Sequence, residues 1–389
     1  MIRKISIENF FSIKNELVLD FKLSKRVPDL EAFYKNEMGE RYPKILAFFG
    51  HNAAGKTNIL RALSFLKFFA LGAVEMNKGG NAPFEPYLFD EESADQSTKF
   101  KLEFSIGEEV FSYILELNQS EVLLEVLKTK RSTYFKREGE KISGRLKMVK
   151  KLIGFIAEDV SVLTFCYKNK LQDPELEPVL NFFEDLSTNI NPVGNEDLVN
   201  KTFRVNAIVK ARLELKKRIV DFLKRASLGI SDLRFKDKEI MCQGELKKRS
   251  CAYVYHRVNG EEKELLMTQE SKGVQYLYLM LFEIFRALES GGTVIIDEVN
   301  AHLHAHVIKE FLDLFNDSES NPHGAQLILS GHADYIMNYL EKEQIILCEK
   351  NEFCVTEAFL LKDLKGLRRQ DNIRDLYNAG AYGGIALEL

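Results

Sequence analysis

The sequence predicts an α/β fold: a parallel sheet with helices on it, an antiparallel β lobe and a helical insertion. Three observations predict it. First, the apolar run Ile45-Leu46-Ala47-Phe48-Phe49 leads directly into Gly50-His51-Asn52-Ala53-Ala54-Gly55-Lys56-Thr57. From Asn58 the spacing becomes helical, with Ile59, Leu60, Leu63, Leu66 and Ala70 on one face. Second, the last third alternates: helix 272–289, strand 293–296, helix 302–316, strand 325–329, helix 334–341, strand 344–348. Third, Phe100, Leu102 and Phe104, then Val110 to Leu117 and Val122 to Lys128, alternate apolar and polar as antiparallel strands do.

The remaining segments fill in around these. Residues 2–21 read as two strands with a turn near Ser12–Asn15, and residues 22–43 and 76–98 read as loops. Lys141 to Lys224 is mostly helical in pattern, and strand-like alternation returns over 231–266 around Ala252 to Val258. The expected division is an N-terminal lobe over 1–140, a helical insertion over 141–230 and a C-terminal lobe over 231–389. No sustained heptad run occurs, so a long coiled-coil arm is not expected.

Composition narrows the class. An apolar fraction of 45% with 29% charged residues is that of a soluble globular protein. A net charge of −4 gives no global basic footprint for nucleic acid, though a local patch would still be compatible with it. The cysteines, Cys166, Cys242, Cys251, Cys348 and Cys354, are odd in number and lack CxxC spacing, which disfavours a disulfide framework or zinc ribbon. The start, MIRKISIENFFSIK, has no signal-peptide core, and the most apolar stretch, Ile59 to Val74, is broken by Arg61 and Lys67. A cytoplasmic protein without a membrane span is expected.

The Gly50–Thr57 segment fits GxxxxGK[ST], and that spacing has a chemical purpose. Glycines let the backbone curl so that successive N–H groups point at phosphate oxygens, and the helix start adds its dipole. Gly50, Asn52, Ala53, Ala54, Gly55, Lys56, Thr57 and Asn58 are therefore the expected ATP-binding segment. Lys56 would neutralise the β- and γ-phosphates, and the Thr57 hydroxyl would bind Mg²⁺. A second acidic signal ends the strand Thr293-Val294-Ile295-Ile296: Asp297 is placed to hold Mg²⁺ and Glu298 to polarise water as a general base.

Asp297 lies 240 residues beyond Thr57. A site split so widely resembles the ABC/SMC ATPase lineage, and that resemblance implies two more motifs. Glu270-Ser271-Lys272-Gly273-Val274-Gln275 resembles a degenerate ABC signature, in which Ser271 and Gly273 would bind the γ-phosphate held by a second copy; Ser271 also suits a simple helix N-cap. Ser330-Gly331-His332, after an apolar strand, resembles the switch histidine segment, with a serine–glycine pair where threonines are usual. His302, His304 and His306 suggest a metal site only superficially. No carboxylate or cysteine nearby completes a ligand set, and Asn300 to His304 falls where such ATPases have the D-loop.

Beyond the nucleotide motifs, the chain resembles the AbiL/RloA-like AAA ATPases of phage-defence and abortive-infection operons. The resemblance rests on Asn9-Phe10-Phe11-Ser12-Ile13, on Pro83-Phe84 through Phe89-Asp90-Glu91-Glu92-Ser93, and on Ser271-Lys272-Gly273. It rests also on Arg368-Arg369-Gln370-Asp371-Asn372 with Leu376-Tyr377 and Gly380-Ala381-Tyr382-Gly383-Gly384. It implies an ATP- and Mg²⁺-dependent homo-oligomer that controls a separate effector such as a nuclease. Only 57 residues follow His332, so a fused nuclease domain is not expected. Two other readings stay open: a RecF/SMC-like DNA-handling ATPase, and a nucleotide-gated binding module with little hydrolysis.

Overall fold

The computed structural model describes every residue except 73–82, 148, 150–152, 172, 191, 193–197, 227–228, 243–244, 302 and 382–389. The chain begins with β1 (Ile2–Glu8) and β2 (Leu17–Asp20), an antiparallel pair. A small hairpin follows, β3 (Phe33–Lys35) with β4 (Arg41–Pro43), inside the span expected to be loop. Its anchor is Tyr42, which is buried with the Arg3 guanidinium over its ring. Then come β5 (Ile45–Phe49) and helix α1 (Lys56–Leu71). A four-residue helix, α2 (Glu91–Ala94), is capped by Asp90 within the next expected loop.

The antiparallel lobe follows as β6 (Thr98–Ile106), β7 (Glu109–Leu117), β8 (Val122–Thr129), β9 (Thr133–Glu138) and β10 (Lys141–Ser143). With β1 and β2 they form one seven-stranded sheet in the order β10-β9-β8-β7-β6-β1-β2. The stretch expected to be helical over 141–230 does hold α3 (Val162–Lys168), α4 (Glu177–Glu184), α5 (Leu198–Ala211) and α6 (Leu213–Arg225). It also holds two strands. β10 forms one edge of the antiparallel sheet, and β11 (Leu186–Thr188) pairs in parallel with a strand 107 residues later. Three residues show no readable period, so only the partner reveals β11.

A separate three-stranded sheet contains β12 (Ile230–Cys242), β13 (Glu245–Val258) and β14 (Glu261–Leu266). The last third runs α7 (Lys272–Ser290), β15 (Thr293–Ile296), α8 (Ala305–Asn316), β16 (Gln326–Ser330), β17 (Ile345–Lys350), β18 (Thr356–Leu360) and α9 (Ile373–Asn378). Helix α8 starts at Ala305 rather than 302, because His304 caps it. The helix expected at 334–341 is a 3₁₀ turn, Asp334–Tyr339.

The central sheet has the order β11-β15-β16-β5-β17-β18, parallel except for β18. Its inner strands are buried on both faces, which explains their unbroken apolar runs. Their alternation divides the interior. Leu46, Phe48, Ile295, Ile328 and Ile346 join a core shared with α1 and the antiparallel lobe. Ile45, Ala47, Phe49, Val294, Ile296, Leu327 and Leu329 join a second core shared with α6, α7 and α8. Tyr278 of α7 ties the insertion to this second core: its buried hydroxyl donates to Asn206 Oδ1 at 2.9 Å.

Phe65 anchors α1 among aromatic rings, 5.2 Å from Phe84, 5.3 Å from Phe100 and 6.1 Å from Phe10 between centroids. Phe65→Ala is expected to cost about 3–5 kcal/mol in urea unfolding. A loss under about 1 kcal/mol would mean that this cluster does not set the position of α1.

Candidate functional site

The site lies where the parallel strands end. β5 runs into the phosphate loop at Gly50, which must be glycine: its φ is +150°, and a Cβ there would sit 2.2 Å from the Cys348 carbonyl oxygen. Gly55, with φ +98°, is equally constrained, since a Cβ would meet Thr356 Oγ1 at 1.9 Å. Between them Ala53 holds the left-handed region at φ +64°. Asn52 and Ala53 are exposed, Ala54 is buried, and Thr57 stands half-buried in the first turn of α1. These glycines form a cradle open to phosphate and closed to side chains, so the residues present fit a nucleotide.

Lys56 is buried, and its Nζ donates to the carbonyls of Gly50 at 2.8 Å and His51 at 2.9 Å. It also stands 3.5 Å from His332 Nδ1. Burial pulls the Lys56 ammonium below its ordinary value, while the carboxylates of Asp297 and Glu298 pull the other way. His332 follows β16, and its N–H donates to Asn300 Oδ1 at 3.1 Å. Partial burial of the ring and the Lys56 charge hold the imidazole below its ordinary 6.5.

The acidic pair stands at the end of β15. Glu298 is exposed and left-handed, with φ +52°, a strain that other bonds hold in place. Its N–H donates to Ser330 Oγ at 3.0 Å, and the same hydroxyl donates to Asp297 Oδ1. The Val299 N–H donates to the Ser330 carbonyl at 3.0 Å. Ser330, read from the sequence only as a departure before His332, thus holds both acids. Sequence reasoning also missed Asn189, just past β11. Its Oδ1 accepts from the Asp297 N–H at 2.8 Å and its Nδ2 donates to the Asp297 carbonyl at 2.9 Å. A lone asparagine after an invisible three-residue strand carries no sequence signal.

Ser271 and Gly273 lie at the start of α7. The Ser271 hydroxyl accepts from the Val274 N–H at 3.3 Å and is exposed, so it caps its own helix. The adjoining Glu270 carboxylate meets His256 Nε2. His304 caps α8 and His306 lies 3.3 Å from Glu310. His302 and Tyr382-Gly383-Gly384 lie outside the described residues.

Two of the motifs outside the nucleotide segments brace the phosphate loop. Asn9 Nδ2 donates to the carbonyls of Ser93 at 2.8 Å and Gln96 at 3.0 Å, and its Oδ1 accepts from the Tyr87 N–H at 2.9 Å. This joins the 9–13 stretch to the 83–93 stretch. Ser12 Oγ then meets Thr356 Oγ1 at 2.7 Å and accepts from Asn58 Nδ2 at 2.7 Å, and Thr356 Oγ1 donates to the Ala54 carbonyl at 3.1 Å. At the other end, Arg369 bridges Glu341 and Glu343, and Arg374 and Asn378 both hold Asp334, two residues beyond His332.

The family model described as "AAA domain, putative AbiEii toxin, Type IV TA system" matches residues 45–338, from β5 to the turn after His332. The chain belongs to this AAA family. The structure of an SMC head bound to the C-winged helix domain of ScpA is similar at 14% identity and a TM-score of 0.54, covering 92% of this chain and 97% of that one. An Smc head with extended coiled coil from Pyrococcus furiosus, bound to the C-terminal domain of ScpA, has 14% identity, a TM-score of 0.48, and covers 92% and 95%. The SMC head domain from Thermotoga maritima has 15% identity, a TM-score of 0.43, and covers 92% and 98%. At these identities the likeness is one of fold, and it rests on the first. No curated protein matches the chain. The AAA chain therefore carries an ABC/SMC-type head: a P-loop sheet, an antiparallel lobe and a helical insertion. Among the described residues, no helix is long and apolar enough to cross a membrane.

Two measurements check this geometry. In an NMR titration, His332 is expected to protonate below 6.5, and Lys56→Ala should move its midpoint upward by removing the neighbouring charge. Because the folded value is depressed, stability held above 6.5 is lost as pH falls through that range. Gly55→Ala should abolish nucleotide binding by equilibrium dialysis; retained binding would show that the loop can open beside Thr356.

Proposed function

We propose that the chain binds ATP with Mg²⁺ at the Gly50–Asn58 segment and hydrolyses it in an assembly of at least two copies. The reading rests on one observation. Lys56 Nζ stands 3.5 Å from His332 Nδ1, and Ser330, two residues before that histidine, holds both Asp297 and Glu298. The residues proposed as phosphate charge-neutraliser, metal-binding carboxylate, base and γ-phosphate sensor thus lie together at the ends of neighbouring strands.

In this mechanism the loop N–H groups and Lys56 hold the phosphates. Thr57 and Asp297 would hold Mg²⁺, which would neutralise phosphate charge when bound. Glu298 accepts the proton of the attacking water. His332, kept neutral, donates a ring N–H toward the γ-phosphate. Ser271 and Gly273 act in trans, at the helix start that faces the other copy's nucleotide. The biological reading is that of an AbiL/RloA-like defence ATPase in the cytoplasm. Nucleotide state would act as sensor and scaffold, controlling a separate toxic effector such as a nuclease. The family described as an AbiEii-type AAA domain supports this direction.

The head fold favours a second reading, a RecF/SMC-like ATPase that handles DNA. DNA binding that weakens steeply with salt and stimulates turnover would select it.

The test is light scattering of Glu298→Gln after size exclusion, with and without ATP and Mg²⁺. The mass should rise with ATP, and turnover should fall at least about 100-fold. A monomer in both conditions, or wild-type turnover, would overturn the trans mechanism or the base assignment respectively. Lys56→Ala and Ser271→Ala should each be inactive alone. Mixed together they should regain part of the activity, because one composite site is then intact.

A further inference from the structure

Asn189 does more than hold Asp297. Its Nδ2 has two hydrogens: one goes to the Asp297 carbonyl and the other to Tyr276 Oη, each at 2.9 Å. With Oδ1 accepting from the Asp297 N–H at 2.8 Å, the amide orientation is determined, since a flipped amide would set oxygen against the Asp297 carbonyl. Tyr276 belongs to α7, three residues beyond Gly273 and five beyond Ser271. We infer that Tyr276 is a positioning residue, whose hydroxyl couples the Ser271-bearing helix start to the backbone of Asp297 through Asn189.

The coupling is mechanical. Ser271 and Tyr276 sit within two turns of one continuous helix, so they move together. That helix is gripped further along by the buried side chains of Leu277, Tyr278 and Leu281. A displacement of its first turn therefore carries the Tyr276 phenol. Burial pushes that phenol up to about 12, so it remains a neutral partner through the physiological range. Asn189 is exposed and stands at the end of a strand of only three residues; its N–H donates to the Ile295 carbonyl at 3.3 Å, and the side-chain bonds orient its amide. The link runs within one copy, from its own α7 to its own acidic residue. On the reading proposed above, contact of Ser271 with a partner's nucleotide would then adjust Asp297 in the same copy, joining the two nucleotide sites.

The test is a double-mutant cycle on the full chain: Tyr276→Phe, Asn189→Ala and both together. Hydrogen exchange of the Asp297 amide, followed by NMR without nucleotide, reads the clamp directly. Tyr276→Phe should accelerate that exchange about fivefold, which corresponds to about 1 kcal/mol for one hydrogen bond. Amides within β5 that exchange by local opening should stay unchanged, and the urea midpoint should fall by no more than that same ~1 kcal/mol accounts for. The double variant should exchange no faster than Asn189→Ala, because both changes break one chain of contacts. ATP turnover should fall in the same pattern at constant ATP affinity. Wild-type exchange in Tyr276→Phe, or independent addition of the two effects, would overturn the inference. An absence of turnover in the unsubstituted protein would instead overturn the ATPase reading, and the exchange cycle would still decide the role of Tyr276.

Discussion

The position of β16 between β5 and β15 is the constraint on which the candidate site depends. Neighbouring strands lie about 4.8 Å apart, so the phosphate loop and the acidic pair are separated by about 10 Å, the gap that the proposed nucleotide and metal would occupy. The strand in between is not a passive spacer. It ends in Ser330, whose hydroxyl joins Asp297 to the Glu298 N–H, and it delivers His332 beside Lys56. One short strand thus brings together residues separated by more than 240 positions in sequence.

Around these strand ends the structure holds strained backbone by hydrogen bonds rather than by apolar packing. Glu298 and Ala53 are both left-handed without being glycine. Glu298 is restrained by Ser330, and the loop around Ala53 by Thr356 through the Ala54 carbonyl. The Ser12–Asn58–Thr356 contacts extend this bracing to the antiparallel lobe. The lobe therefore supports the start of α1 directly, and Ser12 from the start of the chain meets Thr356 of β18 at the phosphate loop. The tail makes the matching connection on the other side, where Arg374 and Asn378 hold Asp334 two residues beyond His332.

The two cores explain how these strand ends stay in register. Successive residues of β5 point alternately into the α1 side and the α7–α8 side, so a one-residue slip would exchange Phe48 for Ala47 or Phe49 between two differently shaped cores. Helix α7 belongs to the second core and also carries Ser271 and Tyr276. Packing that fixes the sheet therefore also fixes the helix that would face a second copy.

The sequence by itself determined the parts whose chemistry is local. The Gly50–Thr57 pattern, the apolar strand ending in Asp297-Glu298 and the strand before His332 were legible because buried parallel strands and phosphate loops need contiguous residue types. It also carried the cap at Ser271, since a helix N-cap is a one-residue preference. The tertiary structure alone decided the rest. β11 is too short to show a period and exists because β15 offers it a partner. Asn189, Ser330 and Thr356 gain their roles only from contacts made across 108, 33 and 302 positions respectively. The hairpin at Phe33–Pro43 likewise forms where the buried Tyr42 meets Arg3, a pairing with no local signature. Local pattern reports what a segment can bond within itself; hydrogen bonds between distant segments depend on strand order, which only the folded sheet supplies.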